Sequence, residues 1–237
     1  MAQNLMLIVF QPLVDLRDGS IFAYEALLRS KSPHFNSPVK MFEAAVQNNC
    51  VGALGRAARK MAVETCEEWP LFINIHPQEF DEKWLVQPDD PIFCHGRSVH
   101  LEITESVPLS HFEFCHSVLK EIRGKGLCLA IDDLGAGYSN LKYISDLSPE
   151  IVKIDRELVK DLRSAGRGFE LVKHIVALCK GMGARVVAEG IETKGELRAV
   201  IRAGVHFGQG YLLARPAFPP PPVPWAEIMA DSASTAA

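Results

Sequence analysis

The sequence predicts an α/β fold, a modified TIM (β/α)₈ barrel whose first two strands pair antiparallel. Three observations predict it. Eight short apolar or alternating runs recur along the chain, with helical stretches between them. Many of these runs deliver a polar side chain at or near the end of the run, which is how such a barrel builds a site at one rim. The first two runs are joined only by Asp15-Leu16-Arg17-Asp18-Gly19-Ser20, which has turn chemistry and is too short for a crossover helix.

Taken in order, the expected strands cover residues 5–14, 21–28, 71–76, 99–104, 127–132, 151–154, 185–188 and 205–208. Expected helices cover 40–48, 52–68, 110–123, 168–182 and 195–203. In the second of these, Leu54, Ala57, Ala58, Met61 and Ala62 share one face at helical spacing. Gly124, Gly183 and Gly204 directly follow three of the helices and read as C-terminal stops. Residues 216–224 are too rich in proline for a central strand or helix and are expected to lie extended over the barrel. Residues 225–229 follow as a short helix, and 232–237 are expected to fray. With no internal repeat and no linker, the chain reads as one domain, 1–237, with the barrel at about 5–215 and the tail at 216–237.

A chain of 237 residues with 48% hydrophobic and 23% charged side chains has enough apolar material for one large core. The net charge of −4 leaves no general basic field for duplex nucleic acid. It does not exclude a small phosphate ligand, because bound cations or local Arg and Lys invert the local potential. No apolar run is long enough to span a bilayer, and the opening residues lack the basic start and cleavage site of a signal peptide. The six cysteines include no C-x-x-C pair, which argues against a zinc ribbon or thioredoxin motif; a reducing cytoplasm is the expected setting. The near-repeat Phe93-Cys94-His95 and Phe114-Cys115-His116 fits no common metal-ligand spacing.

The chemistry resides in the polar residues. In Glu25-Ala26-Leu27-Leu28-Arg29, alternation turns Glu25, Leu27 and Arg29 to one side. That suits a metal ion beside a phosphate, although the motif taken alone favours a structural salt bridge. Asn74, within an apolar run, is either a satisfied core amide or a ligand of a hard metal. Glu102 lies between Leu101 and Ile103, and Glu105 falls where that strand should end. Asp132-Asp133, followed by Gly135 and Gly137, is the strongest local signal, because two adjacent acids repel unless cations neutralise them. Lys153 sits inside the apolar run 151–154 and needs a partner, which the acids supply. Glu189 and Glu192 close the seventh strand and Gln209 the eighth. An all-oxygen set of this kind selects Mg²⁺ or Mn²⁺ over zinc. So many polar residues at strand ends, with no ligand to balance them, would be physically costly.

In order and together, these motifs resemble the EAL-domain phosphodiesterases that hydrolyse cyclic di-GMP. The resemblance runs from Phe10-Gln11-Pro12-Leu13-Val14 to Leu213-Ala214-Arg215-Pro216. It implies a homodimer and two divalent ions. Glu25, Asn74, Glu102 and Asp132 are then ligands of a first ion, and Asp132, bridging, and Asp133 ligands of a second. Glu189 resembles the general base, Lys153 lies beside the nucleophilic water, and Glu192 and Gln209 complete the shell. Arg29 resembles the phosphate clamp; Gln11, Leu27 and Asp155 fall among the substrate-binding positions; Glu105 resembles the acid that steadies a loop. The implied reaction is in-line attack of water, giving linear 5′-pGpG, with an inactive cyclic di-GMP receptor as the alternative. The chain departs from the family at Leu134, where Phe is usual, and at Ala136 in the same loop. Only nine residues precede Phe10, where a leading helix is usual. Neither a sensory nor a cyclase domain is present, so a regulatory partner is expected on another chain or outside this sequence.

Overall fold

A computed structural model describes residues 6–32, 34–35, 37–80, 85, 87–104, 112–136 and 142–230, the side chains of 112–117 and 143 excepted. The chain opens on a hairpin of β1 (Met6–Asp15) and β2 (Ile21–Ser30). Its turn is closed by Asp15 N donating to Ser20 O (2.8 Å) and Gly19 N to Asp15 O (2.8 Å). Gly19 has φ 79°, and a Cβ there would lie 2.0 Å from the Trp225 ring, so both conformation and space demand glycine.

The barrel continues through β3 (Leu71–Asn74), β4 (Val99–Thr104), β5 (Cys128–Leu134), β6 (Ile151–Ile154), β7 (Arg185–Ala188) and β8 (Phe207–Gly208), closing in the order β1 to β8. β1 is antiparallel to both neighbours, and every other pair is parallel. Around it lie α1 (Pro38–Gln47), α2 (Val51–Thr65), α3 (Phe112–Gly124), α4 (Lys142–Leu147), α5 (Arg156–Val159), α6 (Arg167–Gly181), α7 (Lys194–Arg202) and α8 (Trp225–Ala230). The expected strands all form. The third ends at Asn74 rather than residue 76, because the chain turns into a 3₁₀ segment at Pro77–Phe80. The fifth runs on to Leu134, and the eighth pairs only at Phe207–Gly208. The short helices α4 and α5 were not expected. Residues 232–237, expected to fray, lie outside the described residues.

β8 is too short to cover the upper half of β1. The proline-rich tail does so instead, as expected of an extended segment: Phe10 and Ala217 exchange backbone hydrogen bonds of 2.8 and 3.0 Å, and Tyr24 Oη donates to Pro221 O at 3.0 Å. Carbonyls and amides on the open side of β1 thereby find partners.

The core has two parts. One fills the space between barrel and helices, with Phe10, Leu71, Leu101, Ile131 and Val172 among its buried members. The other plugs the barrel interior with Leu13, Ala23, Phe72, Ala130, Ile151, Val187 and Phe207. The His100 ring joins this plug, stacked on Phe72 at 4.3 Å. Burying one such large apolar side chain contributes roughly 1.5–3 kcal/mol.

Candidate active site

Side chains alternate along a strand, so two residues beyond each plug residue the next side chain also points inward. That step leads from Ala23 to Glu25, Phe72 to Asn74, His100 to Glu102, Ala130 to Asp132, Ile151 to Lys153, Val187 to Glu189 and Phe207 to Gln209. On β1, which runs the other way, it leads back from Leu13 to Gln11, the residue paired with Glu25 in the ladder. A polar layer therefore rests on an apolar floor, with a contribution from each strand.

Lys153 is the centre of this layer. Its Nζ lies 2.6 Å from Glu102, 2.7 Å from Glu189, 3.1 Å from Asp132 and 3.6 Å from Glu25. Burial pulls the Lys153 pKa down, but Asp132, Glu102, Glu189 and Glu25 outweigh it and hold the pKa well above the ordinary value. Glu25 is pushed up by burial, yet Lys153 and the amides of Gln209 and Asn74 outweigh that and keep it below the usual carboxylate range. Glu102 is raised well above that range, first by burial and then by the Glu25 charge. Burial lifts Glu189 to about 8, against the pull of Lys153.

Asp133 enters the layer through backbone geometry. In a regular strand it would face away from Asp132. The register of β5 against β6 shifts between Ile131 and Leu134, and Asp133 adopts φ 60°. A bulge with a left-handed Asp re-aims the side chain, and oxygens of Asp132, Asp133 and Glu189 come within 4.8 Å of one another. Burial and the Asp132 charge raise Asp133 to about 6.

Amides frame the acids. Gln209 Nε2 donates to Glu25 (2.6 Å) and to Gln11 (3.2 Å), and Asn74 Nδ2 donates to Glu25 (3.1 Å) and Glu102 (3.0 Å). For Asn74 to offer its oxygen to a cation, its amide must turn over. The buried Oε1 of Gln209 has no hydrogen-bond partner among the described residues. Gly210 fixes Gln209 in place, since a Cβ there would lie 2.2 Å from the backbone N and O of Ile191, which cannot give way.

Above the layer opens a cavity of about 240 Å³, with Gln11, Glu25, Leu27, Glu189, Glu192 and Gln209 in its wall. Arg29 is not in this wall. It borders a neighbouring cavity of about 190 Å³, together with Leu27 and Asn74, and its Nη1 donates to Leu28 O (2.9 Å). Asp155 is also absent from both walls and caps α5, accepting from Glu157 N at 2.8 Å. Glu192 pairs with Arg156 at 3.0 Å. Its backbone N–H donates to Glu196, whose carboxylate also closes the capping box of α7. Glu105 lies outside the described residues. Arg156 and Tyr211 line the larger cavity although sequence reasoning assigned neither a role; Arg156 directly follows the acid at the end of β6, which was the available signal.

Do these residues fit divalent cations? Five carboxylates (Glu25, Glu102, Asp132, Asp133 and Glu189) face one ammonium, and three of them already present oxygens at ligand spacing. The donors are all hard oxygens, the surplus is negative, and a buried amide oxygen without a partner among the described residues adjoins them. The fit to Mg²⁺ or Mn²⁺ is good.

Comparison with known proteins agrees with this geometry. A family profile described as "EAL domain" matches residues 1–216. Cyclic di-GMP phosphodiesterase RocR of Pseudomonas aeruginosa is 30% identical over 224 residues, covering 87% of this chain and 56% of RocR. Klebsiella pneumoniae BlrP1, solved as a calcium and cyclic di-GMP complex, superposes with a TM-score of 0.80 at 31% identity, covering 90% of this chain and 56% of that one. PaMucR phosphodiesterase in its cyclic di-GMP complex gives 0.80 at 26% identity, covering 91% and 93%. The chain spans between 26% and 56% of the length of curated relatives that it matches. Among the described residues, no helix is long and apolar enough to cross a membrane.

Proposed function

Because the chain belongs to the EAL domain family, we propose that it is a metal-dependent phosphodiesterase that hydrolyses cyclic di-GMP to linear 5′-pGpG. The observation that carries this reading is the polar layer: five carboxylates and Lys153 converge at one barrel mouth, beneath a cavity. The name of RocR and the calcium and manganese complexes of BlrP1 with the same dinucleotide support it.

Glu25, Asn74, Glu102, Asp132 and Asp133 would hold two ions, Mg²⁺ or Mn²⁺, and the closeness of Glu189 to Asp132 and Asp133 supports reading it as their neighbour. Bound ions supply a lowered pKa for water and neutralisation of the phosphodiester. Burial lifts Glu189 to about 8 in the metal-free layer; in the ionised form that bound cations would favour, it takes the proton of the attacking water, and Lys153, 2.7 Å from it, orients that carboxylate. The water oxygen joins phosphorus, the bond from phosphorus to the 3′ oxygen breaks, and that oxygen leaves with a proton taken from solvent, while Glu189 returns to solvent the proton it received. Gln11, Leu27, Arg29 and Gln209 bind the dinucleotide; Asp155, which caps α5 outside both cavity walls, would have to leave that cap to join them. Glu192 stands at the cavity, and Glu105 steadies the loop after the fifth strand. A cytoplasmic homodimer under a regulatory region on another chain, or in further sequence, belongs to the same reading. The greater length of the relatives supports the last point.

Purified protein with Mn²⁺ should convert cyclic di-GMP to pGpG, followed by chromatography. Glu189→Ala should lose roughly 10²–10⁴-fold in kcat, the usual worth of a general base. Binding without product over long incubation would mark a receptor instead, and neither binding nor turnover would reject the substrate class.

A further inference from the structure

Gln11 faces the cavity, which makes it a natural substrate contact, but its hydrogen bonds lead elsewhere. Its Nε2 donates to Ala214 O at 3.1 Å, and its Oε1 accepts from Gln209 Nε2 at 3.2 Å. The same Gln209 nitrogen donates to Glu25 Oε2 at 2.6 Å. Gln11 and Glu25 are directly opposed in the β1–β2 ladder, so their side chains share a face. A continuous path therefore runs from Ala214, through two buried amides, to a carboxylate of the polar layer.

The position of Ala214 is itself fixed. β8 pairs with β1 only at Val14 and Asp15. Above that, the chain turns away, with Ala214 N donating to Gly210 O at 3.1 Å, and rejoins β1 where Phe10 pairs with Ala217. Residues 210–217, which lead into the tail, thus stand in for the missing upper half of β8 and present the Ala214 carbonyl inward, to Gln11.

We propose that Gln11 is a positioning residue: through Gln209 it holds the Glu25 carboxylate for a divalent cation, and it ties that carboxylate to the C-terminal tail. This rests on the metal-dependent reading above. A carboxylate ligand oriented by an amide, which is oriented in turn by a second amide and a backbone carbonyl, has one arrangement available before any ion arrives. Partners of this kind are typically worth about 10–100-fold in metal affinity.

The test is Mn²⁺ binding by calorimetry, without substrate, to the wild type, Gln11→Met and Gln11→Asn. Met keeps the length and loses both hydrogen bonds; Asn keeps the amide and is too short to join both partners. The expected result is about a 10–100-fold weaker Mn²⁺ affinity in both variants, with melting of the metal-free proteins close to wild type. Adding Gln209→Met to Gln11→Met should cost less than the sum of the single changes, because one path is broken twice. Wild-type Mn²⁺ affinity in both variants, with only KM for the dinucleotide raised, would overturn the proposal and leave Gln11 a substrate contact only. If the wild type itself bound no Mn²⁺, the metal-dependent reading would fall and this proposal with it. If Gln11→Met failed to fold, the affinity of Gln11→Asn would decide alone.

Discussion

The Lys153 ammonium stands 2.6 Å from Glu102 Oε1, with both side chains almost wholly out of water. The lysine would not keep its charge there without the acids around it, and burial holds Glu102 well above the usual carboxylate range even beside Lys153. Lys153 is thus the internal counter-ion of the acidic layer when no metal is bound, a role distinct from any contact with water or phosphate.

Removing that counter-ion should therefore be felt as stability. Lys153→Met leaves Glu25 and its neighbours uncompensated, and should destabilise the metal-free protein by about 3–5 kcal/mol. Saturating Mn²⁺ should restore part of it, about 2.7 kcal/mol at a hundredfold excess over Kd. Denaturant unfolding in EDTA and in Mn²⁺ reads both. Equal stability of variant and wild type in EDTA would show that the acids are discharged without the lysine.

At Asp133, chemistry and backbone can be separated. The residue has φ 60°, a conformation that costs an ordinary side chain about 1–2 kcal/mol. Asp133→Gly keeps the bulge and removes a carboxylate beside Asp132, so stability should hold or rise while kcat/KM falls tenfold or more, about 1.4 kcal/mol. Asp133→Val should lose both. Undiminished hydrolysis by Asp133→Gly would remove this acid from the ion-binding set.

The floor of the site predicts a pH effect. His100, stacked on Phe72, is lowered from 6.5 to about 4, first by burial and then by the Arg185 charge. Between those values the unfolded chain binds a proton that the folded chain refuses, so stability falls as pH falls. Above pH 6.5 the contribution is fully present, and below about 4 it is lost. Urea unfolding of wild type and His100→Gln across this window should show a shallower fall in the variant, by up to one proton's worth of slope. Parallel curves would mean that His100 titrates alike in both states.

Much of this arrangement was legible in sequence because period-two alternation alone puts Glu102, Asp132 and Lys153 inside a barrel once the strands are recognised. Asp15–Ser20 could only be a hairpin turn, which reversed β1. What was not legible depended on contacts distant in sequence. The bulge that swings Asp133 inward arises where β5 meets β6. The pairing of Ala217 with Phe10 fills an edge that β8 leaves open. Helices as short as Lys142–Leu147 and Arg156–Val159 carry too few turns for a periodic signal. The engagement of Asp155 as a helix cap also needs α5 to be known first.

A second buried charge cluster supports the site from outside the barrel. Arg59 of α2 pairs with Asp90 (2.8 Å) and with Glu79, and all three side chains are excluded from solvent. Glu79 also accepts from His76 N at 3.0 Å, closing the turn that follows Asn74, while Asp90 accepts from Ile92 N at 3.2 Å and caps the 3₁₀ segment Pro91–Cys94. One guanidinium thus fastens the connection from β3 to β4 onto α2. Arg59→Met leaves two acids buried and should cost about 3–5 kcal/mol. Glu79→Gln keeps an acceptor for His76 N and removes a charge, so adding it to Arg59→Met should recover part of that loss. A double-mutant cycle by urea unfolding measures the coupling, expected at about 0.5–3 kcal/mol. Strict additivity would mean that the turn after Asn74 is held by packing, such as the stacking of His76 on Phe42 at 5.5 Å, and not by this ion pair.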